Sequence, residues 1–161
     1  MEITELLLLH YTMNTKEITY NLCKTYVDKR SETIEEIISS NQKALQSETK
    51  SSAGDKHETG RAMLQLEMEK AGQQLASISQ MRLILAKIDL KNSFKNVHLG
   101  SLVSTNKATY FLSISAGQFM VANKPIFAIS LSSPIGKLLL GKKENEEFFF
   151  NGQLFKITKI E

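Results

Sequence analysis

Along the first ninety or so residues, apolar side chains recur at steps of three and four. Between residues 18 and 47 the positions Leu22, Tyr26, Val27, Ile34, Ile37, Ile38, Ala44 and Leu45 mark one helical face, and no glycine or proline interrupts it. Further on, Leu64, Met68, Ala71, Leu75, Ile78, Leu85 and Ile88 repeat a four-three alternation, with Arg82 at one seam position and Met81 beside it. A heptad seam sustained this long is the pattern of a coiled coil. Either seam alone would leave its leucines and isoleucines in water, and only a short polar segment separates the two. The simplest solution is an antiparallel helical hairpin that turns within residues 51–58 and presents Glu35, Gln42, Gln65, Glu69 and Gln73 to solvent. At about 1.5 Å per residue its second helix is on the order of 50 Å long.

After residue 98 the period changes to two and the residues become β-branched and aromatic. Segments 99–105, 109–115, 118–122 and 126–131 read as strands, with turns at Asn106-Lys107 and Ala116-Gly117. Ser133-Pro134-Ile135-Gly136-Lys137-Leu138-Leu139-Leu140-Gly141 then predicts a short helix, capped by Ser133, opened by Pro134 and stopped by Gly141. Segments 146–150 and 153–160 form a hairpin whose Asn151-Gly152 supplies the positive φ angles of a type I′ turn. The fold class is therefore α+β: a helical hairpin followed by a small domain with an antiparallel sheet. Phe148, Phe149 and Phe150 are consecutive, so alternate rings point to opposite faces, one into the core and its neighbours toward the surface.

Composition places the same boundary. All eight Phe and both Pro lie after residue 93, which divides the chain into an extension (1–15), the hairpin (16–92) and the sheet domain (93–161). Residues 1–90 carry 11 Lys/Arg against 13 Asp/Glu, a net −2, and residues 91–161 carry 9 against 4, a net +5. A weakly acidic hairpin joined to a basic domain fits a partner of mixed surface charge better than wholesale coating of nucleic acid. The single cysteine, Cys23, excludes an internal disulfide and a cysteine-rich zinc site; it reads as a small buried residue on the first helix. Leu6 to Leu9 is too short an apolar run to span a bilayer, and Glu2 and Glu5 precede it where a signal peptide carries cations. The expected location is the cytoplasm, away from membranes. Met13, followed by polar Asn14-Thr15-Lys16, is a candidate natural start.

The candidate chemistry is concentrated in the hairpin's turn, where Asp55 and Glu58 lie in Ser51-Ser52-Ala53-Gly54-Asp55-Lys56-His57-Glu58. Carboxylates here have an ordinary local explanation: Ser52 caps the second helix with Asp55 three residues on, and the helix dipole favours acids in a first turn. His57 reads as a solvated turn residue, and Lys142-Lys143 as a solvated basic turn. Ser104, Ser113 and Ser115 lack a histidine and an acid in their domain with which to form a nucleophilic triad, since His98 is the one histidine there.

Two motifs in this order of parts resemble the bacterial transcript-cleavage factors of the GreA/GreB family. One is Ser133-Pro134-Ile135-Gly136-Lys137-Leu138-Leu139-Leu140-Gly141-Lys142-Lys143, similar to the family's Ser-Pro-Ile stretch followed by Leu-Ile/Leu-Gly-Lys. The other is Gly54-Asp55-Lys56-His57-Glu58, which matches the family's Gly-Asp-Leu-Lys-Glu at the glycine and both acids. The resemblance spans roughly residues 16–161 and implies that the C-terminal domain has an FKBP-like fold. It also implies that Asp55 and Glu58 enter the secondary channel of RNA polymerase and assist a second Mg²⁺ of the polymerase active site, so that the polymerase hydrolyses backtracked RNA. Hard oxygen ligands suit such a two-metal site.

On this reading the protein is an auxiliary factor with no enzymatic activity or resident metal of its own, and it meets nascent RNA and DNA only through the elongation complex. Docking at the channel rim would fall to the C-terminal domain through Ser133, Pro134, Ile135, Lys142 and Lys143. The family commonly continues its tip with Asn-Ala-Glu-Tyr, where this chain has Thr59-Gly60-Arg61-Ala62, and of the cations along its rod this chain offers Lys50, Lys56 and Arg61. Those departures imply an alternative, a channel regulator that binds without stimulating cleavage. An FKBP-like fold alone would suggest a peptidyl-prolyl isomerase or chaperone, against which stand the absence of Trp and of an evident aromatic-lined pocket. A coiled-coil scaffold is the remaining alternative.

Overall fold

The computed structural model describes residues 14–48 and 55–161. Two long helices, α1 (Thr15–Glu48) and α2 (Asp55–Ala86), precede β1 (Leu102–Thr105), β2 (Thr109–Ser113), β3 (Gly117–Val121), β4 (Lys124–Ser130), a short helix α3 (Pro134–Leu139), β5 (Glu147–Phe150) and β6 (Gln153–Ile160). The fold is α+β, a long helical hairpin followed by a mostly antiparallel six-stranded sheet, as the two periodicities predict.

The chain packs into two compact units. One comprises Tyr26–Leu83; the other comprises Ile84–Glu161 with the residues up to Thr25. Packing thus assigns the proximal ends of both helices to the sheet's unit, although the compositional boundary lies near residue 92.

Within the hairpin unit the helices run antiparallel. Asp28 Oδ1 accepts from Arg82 at 3.2 Å near one end, and Asn41 Nδ2 donates to Glu67 Oε2 at 3.0 Å farther along. Val27, Ile34, Ala71 and Ile78 are buried between them, and Glu35, Gln42, Gln65, Glu69 and Gln73 are exposed as predicted. The α1 seam differs in detail from the apolar pattern. Two polar residues, Ser31 and Asn41, are buried in it, while Ile37 lies off the seam and is 43% exposed. Both polar groups are satisfied, since Ser31 Oγ donates to Glu35 one turn on at 2.8 Å and Asn41 reaches Glu67. Hydrogen bonding removes the penalty that would otherwise keep them out of a seam.

In the second unit α1 begins earlier than its apolar residues announce. Asn14 Oδ1 accepts from the Glu17 backbone N–H at 2.8 Å, a side-chain cap that fits the Asn-x-x-Glu spacing. Past α2 the chain is turned by Asp89, whose carboxylate accepts from the Lys91 backbone and from Asn92 Nδ2, both at 2.9 Å.

The sheet order is β3-β4-β2-β1-β6-β5, and one pairing corrects the expectation of an antiparallel sheet: β2 and β4 are parallel, with Thr109 opposite Ile126 and Ser113 opposite Ser130. The hairpin β3–β4 is antiparallel, yet its second strand inserts next to β2 and its first is displaced to the edge. Burial explains the order. Ile126 and Ala128 of β4 are buried, whereas three of the five β3 residues are exposed, so β4 gains more from a central position. The predicted Asn151-Gly152 turn adopts φ of +49° and +74°, and a second two-residue turn, Ala122-Asn123, also has both φ positive.

One face of the sheet packs with α3 around Val103, Leu112, Leu139, Phe148, Phe155 and Ile157. Phe148 stacks on Phe155 at a centroid distance of 5.3 Å, Phe150 meets Phe155 edge-on, and Phe149, opposite Leu154 on the other face, is 71% exposed. The alternation foreseen for the three rings is therefore present. Leu102, Phe111, Ser113, Ile126 and Ala128 are also buried in this unit, where Cys23 Sγ of α1 lies 3.7 Å from Ser113 Oγ. Tyr20 donates to the Leu85 carbonyl at 3.1 Å, tying the proximal ends of α1 and α2 together.

Candidate functional site

Asp55 is the first residue of α2 and Glu58 lies in its first turn. Residues 49–54, including Lys50, the proposed Ser52 cap and Gly54, lie outside the described residues, as does the 1–13 segment with Met13. A spacing of three places positions 55 and 58 on one side of a helix, about 5–6 Å apart at Cβ. The N-terminal end of a helix carries a partial positive charge, so it tolerates two acids there at little cost and needs no metal to hold them. The side chain of Glu58 is exposed, as is that of Arg61. The exposed Glu58 can offer its carboxylate oxygens to something outside the molecule. Among the described residues no group of three or more His, Cys, Asp or Glu is placed to hold an ion.

The Ser-Pro-Ile stretch owes its residue choices chiefly to local folding. Ser133 is the N-cap of α3; its Oγ accepts from the Gly136 N–H at 3.1 Å and donates to the Ser130 carbonyl at 2.6 Å. Pro134 occupies the first turn, where its missing N–H costs nothing, and Ile135 and Leu139 are buried against the sheet. Gly136 is required by a close backbone approach, since a Cβ there would stand 2.1 Å from the Ser130 carbonyl oxygen. Gly141, at φ +80°, ends the turn and donates to the Val97 carbonyl at 2.8 Å. Of the five residues expected at a docking surface, Ile135 is thus in the core and Ser133 is committed to the cap. Pro134 and Lys143 are exposed and Lys142 is half-buried.

Other reactive side chains are in structural service. Cys23 is fully buried, and burial pushes its thiol up to about 11, an effect its Ser113 contact only partly offsets. Ser113 is itself 1% exposed, and Ser104 is half-buried on β1. A His–Ser contact that spacing arguments overlooked joins His98 Nδ1 to Ser101 Oγ at 2.8 Å. Ser101 has no exposed surface, and its Oγ also accepts from the His98 backbone N–H at 3.0 Å. The pair is therefore a turn clasp before β1, with no route for a substrate to the hydroxyl. His98 packs its ring edge-on against Phe94. Lys16 is 6% exposed, and burial holds its ammonium below the usual lysine range against the opposing pull of Glu161 and Asp89.

Among the described residues no helix is long and apolar enough to cross a membrane. Comparison of the chain with protein-family models and with curated proteins yields no match.

Proposed function

We propose that the chain is a Gre-like factor that binds RNA polymerase through its secondary channel and stimulates the polymerase's own hydrolysis of backtracked RNA. The observation that carries this reading is the pair Asp55 and Glu58 in the first turn of α2, at the turn end of an antiparallel helical hairpin. The Ser133–Pro134 helix opening in a following α+β domain supports it. Two acidic positions on one helical turn fit a metal that a second protein also ligates, since two carboxylates fall short of a complete oxygen shell. A shared Mg²⁺ would supply charge neutralisation and an activated water at the polymerase centre. The chain's own contribution is two acidic positions, delivered on the first turn of a helix.

The same reading keeps the protein an auxiliary factor, active only when bound to polymerase, with Pro134, Lys142 and Lys143 as the accessible part of the docking stretch. A second reading, occupancy of the channel without cleavage, is favoured by one feature: Thr59-Gly60-Arg61-Ala62 follows the acids, bringing a cation where an acid and an aromatic are common. Cleavage of labelled RNA in a backtracked elongation complex separates the two. Stimulation by the wild-type chain that is lost in Asp55→Ala/Glu58→Ala supports the first reading. Binding without stimulation supports the second, and failure to bind polymerase rejects both.

A further inference from the structure

Among the described residues the hairpin unit leaves Ile37, Met63, Leu66 and Leu83 exposed. Two adjoining cavities of about 330 and 450 Å³ share Ile37 and Gln74, and together they form a trough between α1 and α2. On α1 the trough follows Tyr26, Arg30, Thr33, Ile37 and Ser40, a run of steps of three and four that keeps to one helical stripe. Its floor is the buried pair Ile34 and Ala71. On α2 the wall formed by Lys70 and Gln74 continues along the same stripe to Leu66 and Met63, which are 52% and 62% exposed. The stretch from Tyr26 to Asn41 is about four helical turns, on the order of 22 Å. A long trough with an apolar floor, with Ile37 exposed at its centre, has the form of a three-helix bundle from which one helix is missing.

Charge identifies what kind of helix would fill it. Lys29, Arg30 and Lys70 line the trough against one acid, Glu67, whose carboxylate already accepts from Asn41. Arg30 is held in place: Nη1 donates to Tyr26 Oη at 2.7 Å and the guanidinium lies 5.6 Å from the centre of the Tyr26 ring. The bond uses one of five donors, leaving a fixed cation to meet a carboxylate. We infer that this trough is a docking site for an amphipathic helix of another protein, one with an apolar stripe flanked by Asp and Glu. The inference is independent of the proposed action on polymerase, and its test contains no polymerase.

The test uses the full-length chain and two fluorescent 21-residue helical peptides with leucines at heptad positions a and d, one bearing Glu at e and g and the other Lys. Anisotropy titration is expected to give at least tenfold tighter binding of the Glu peptide, weakening as salt is raised. Ile37→Asp, at an exposed position, should reduce that binding at least tenfold while circular dichroism stays unchanged. Lys29→Glu/Arg30→Glu/Lys70→Glu should reverse the preference between peptides. Equal binding of both peptides, or binding that Ile37→Asp leaves intact, overturns the proposal. So does sedimentation of the chain alone as a dimer that Ile37→Asp dissociates, because the trough would then be filled by a second copy.

Discussion

At Gly136 a single hydrogen atom decides whether the chain can pass. The ideal Cβ position lies 2.1 Å from the carbonyl oxygen of Ser130 and 2.8 Å from Ser133 Oγ, and the nearer obstacle is backbone, which cannot swing aside. Gly136→Ala should therefore cost about 1–3 kcal/mol, the range for overpacking a tight site, and show as a lower urea midpoint with unchanged slope. Ser133→Ala removes the cap together with the hydroxyl's bond to the Ser130 carbonyl and should cost about 1–2 kcal/mol in the same experiment. Cys23 gives a residue-scale pH prediction. Its thiol keeps its proton in the folded state up to about 11, whereas a solvent-exposed thiol ionises near 9.0. Between those values the unfolded chain binds fewer protons than the folded one, so stability falls as pH rises across that window. To isolate the thiol, the measurement is the difference between wild type and Cys23→Ala: the wild type should lose stability more steeply above pH 9, by up to about 2–3 kcal/mol.

Among the elements, the hairpin is held by its seam and its surface pairs contribute little. Ile78 is 1% exposed, and Ile78→Ala should destabilise by about 2–5 kcal/mol through lost burial and the cavity left behind. Asp28 and Arg82 pair at 3.2 Å with both side chains half or more exposed, and Asp28→Asn should change stability by less than about 1 kcal/mol. Thermal or urea melts of the two variants check the contrast. The elements themselves were largely readable in the sequence because their signals are local. Heptad spacing, the Ser-Pro helix opening and the Asn-Gly turn each act within a few residues. Two features escaped for the opposite reason, and a third carried no signal although it is local. The parallel β2–β4 pairing is a choice between strands competing for a central place. Burial of Asn41 depends on a partner on the other helix, Glu67. The Ser101–His98 clasp looked like nothing in a list of residues, since its function is to satisfy a turn's backbone.

For the whole molecule, the proposed function assigns polymerase binding and chemistry to separate parts of the chain, and charge offers a way to separate them. Residues 91–161 carry a net +5, of which Lys142 and Lys143 supply two, while residues 1–90 carry a net −2. If the C-terminal domain docks through those lysines, Lys142→Glu/Lys143→Glu lowers that half to +1, because each substitution changes the charge by two and 5 − 4 = 1. Affinity for polymerase should fall several-fold at low salt, mostly through slower association, and should depend less on salt than the wild type does. RNA cleavage at saturating protein should be retained, since the tip is intact. Asp55→Asn/Glu58→Gln should do the reverse. Amides keep the size and the hydrogen-bonding capacity at the start of α2 and remove the charge a metal requires, so binding should persist while cleavage is lost. The cost to folding should stay within about 2 kcal/mol, the sum of two favourable charge–dipole interactions at a helix N-terminus. Measuring affinity and saturated cleavage rate for both variants gives four values. A charge-reversed domain that alters only the rate, or an amide tip that alters only the affinity, would contradict the division of labour on which the proposed function rests.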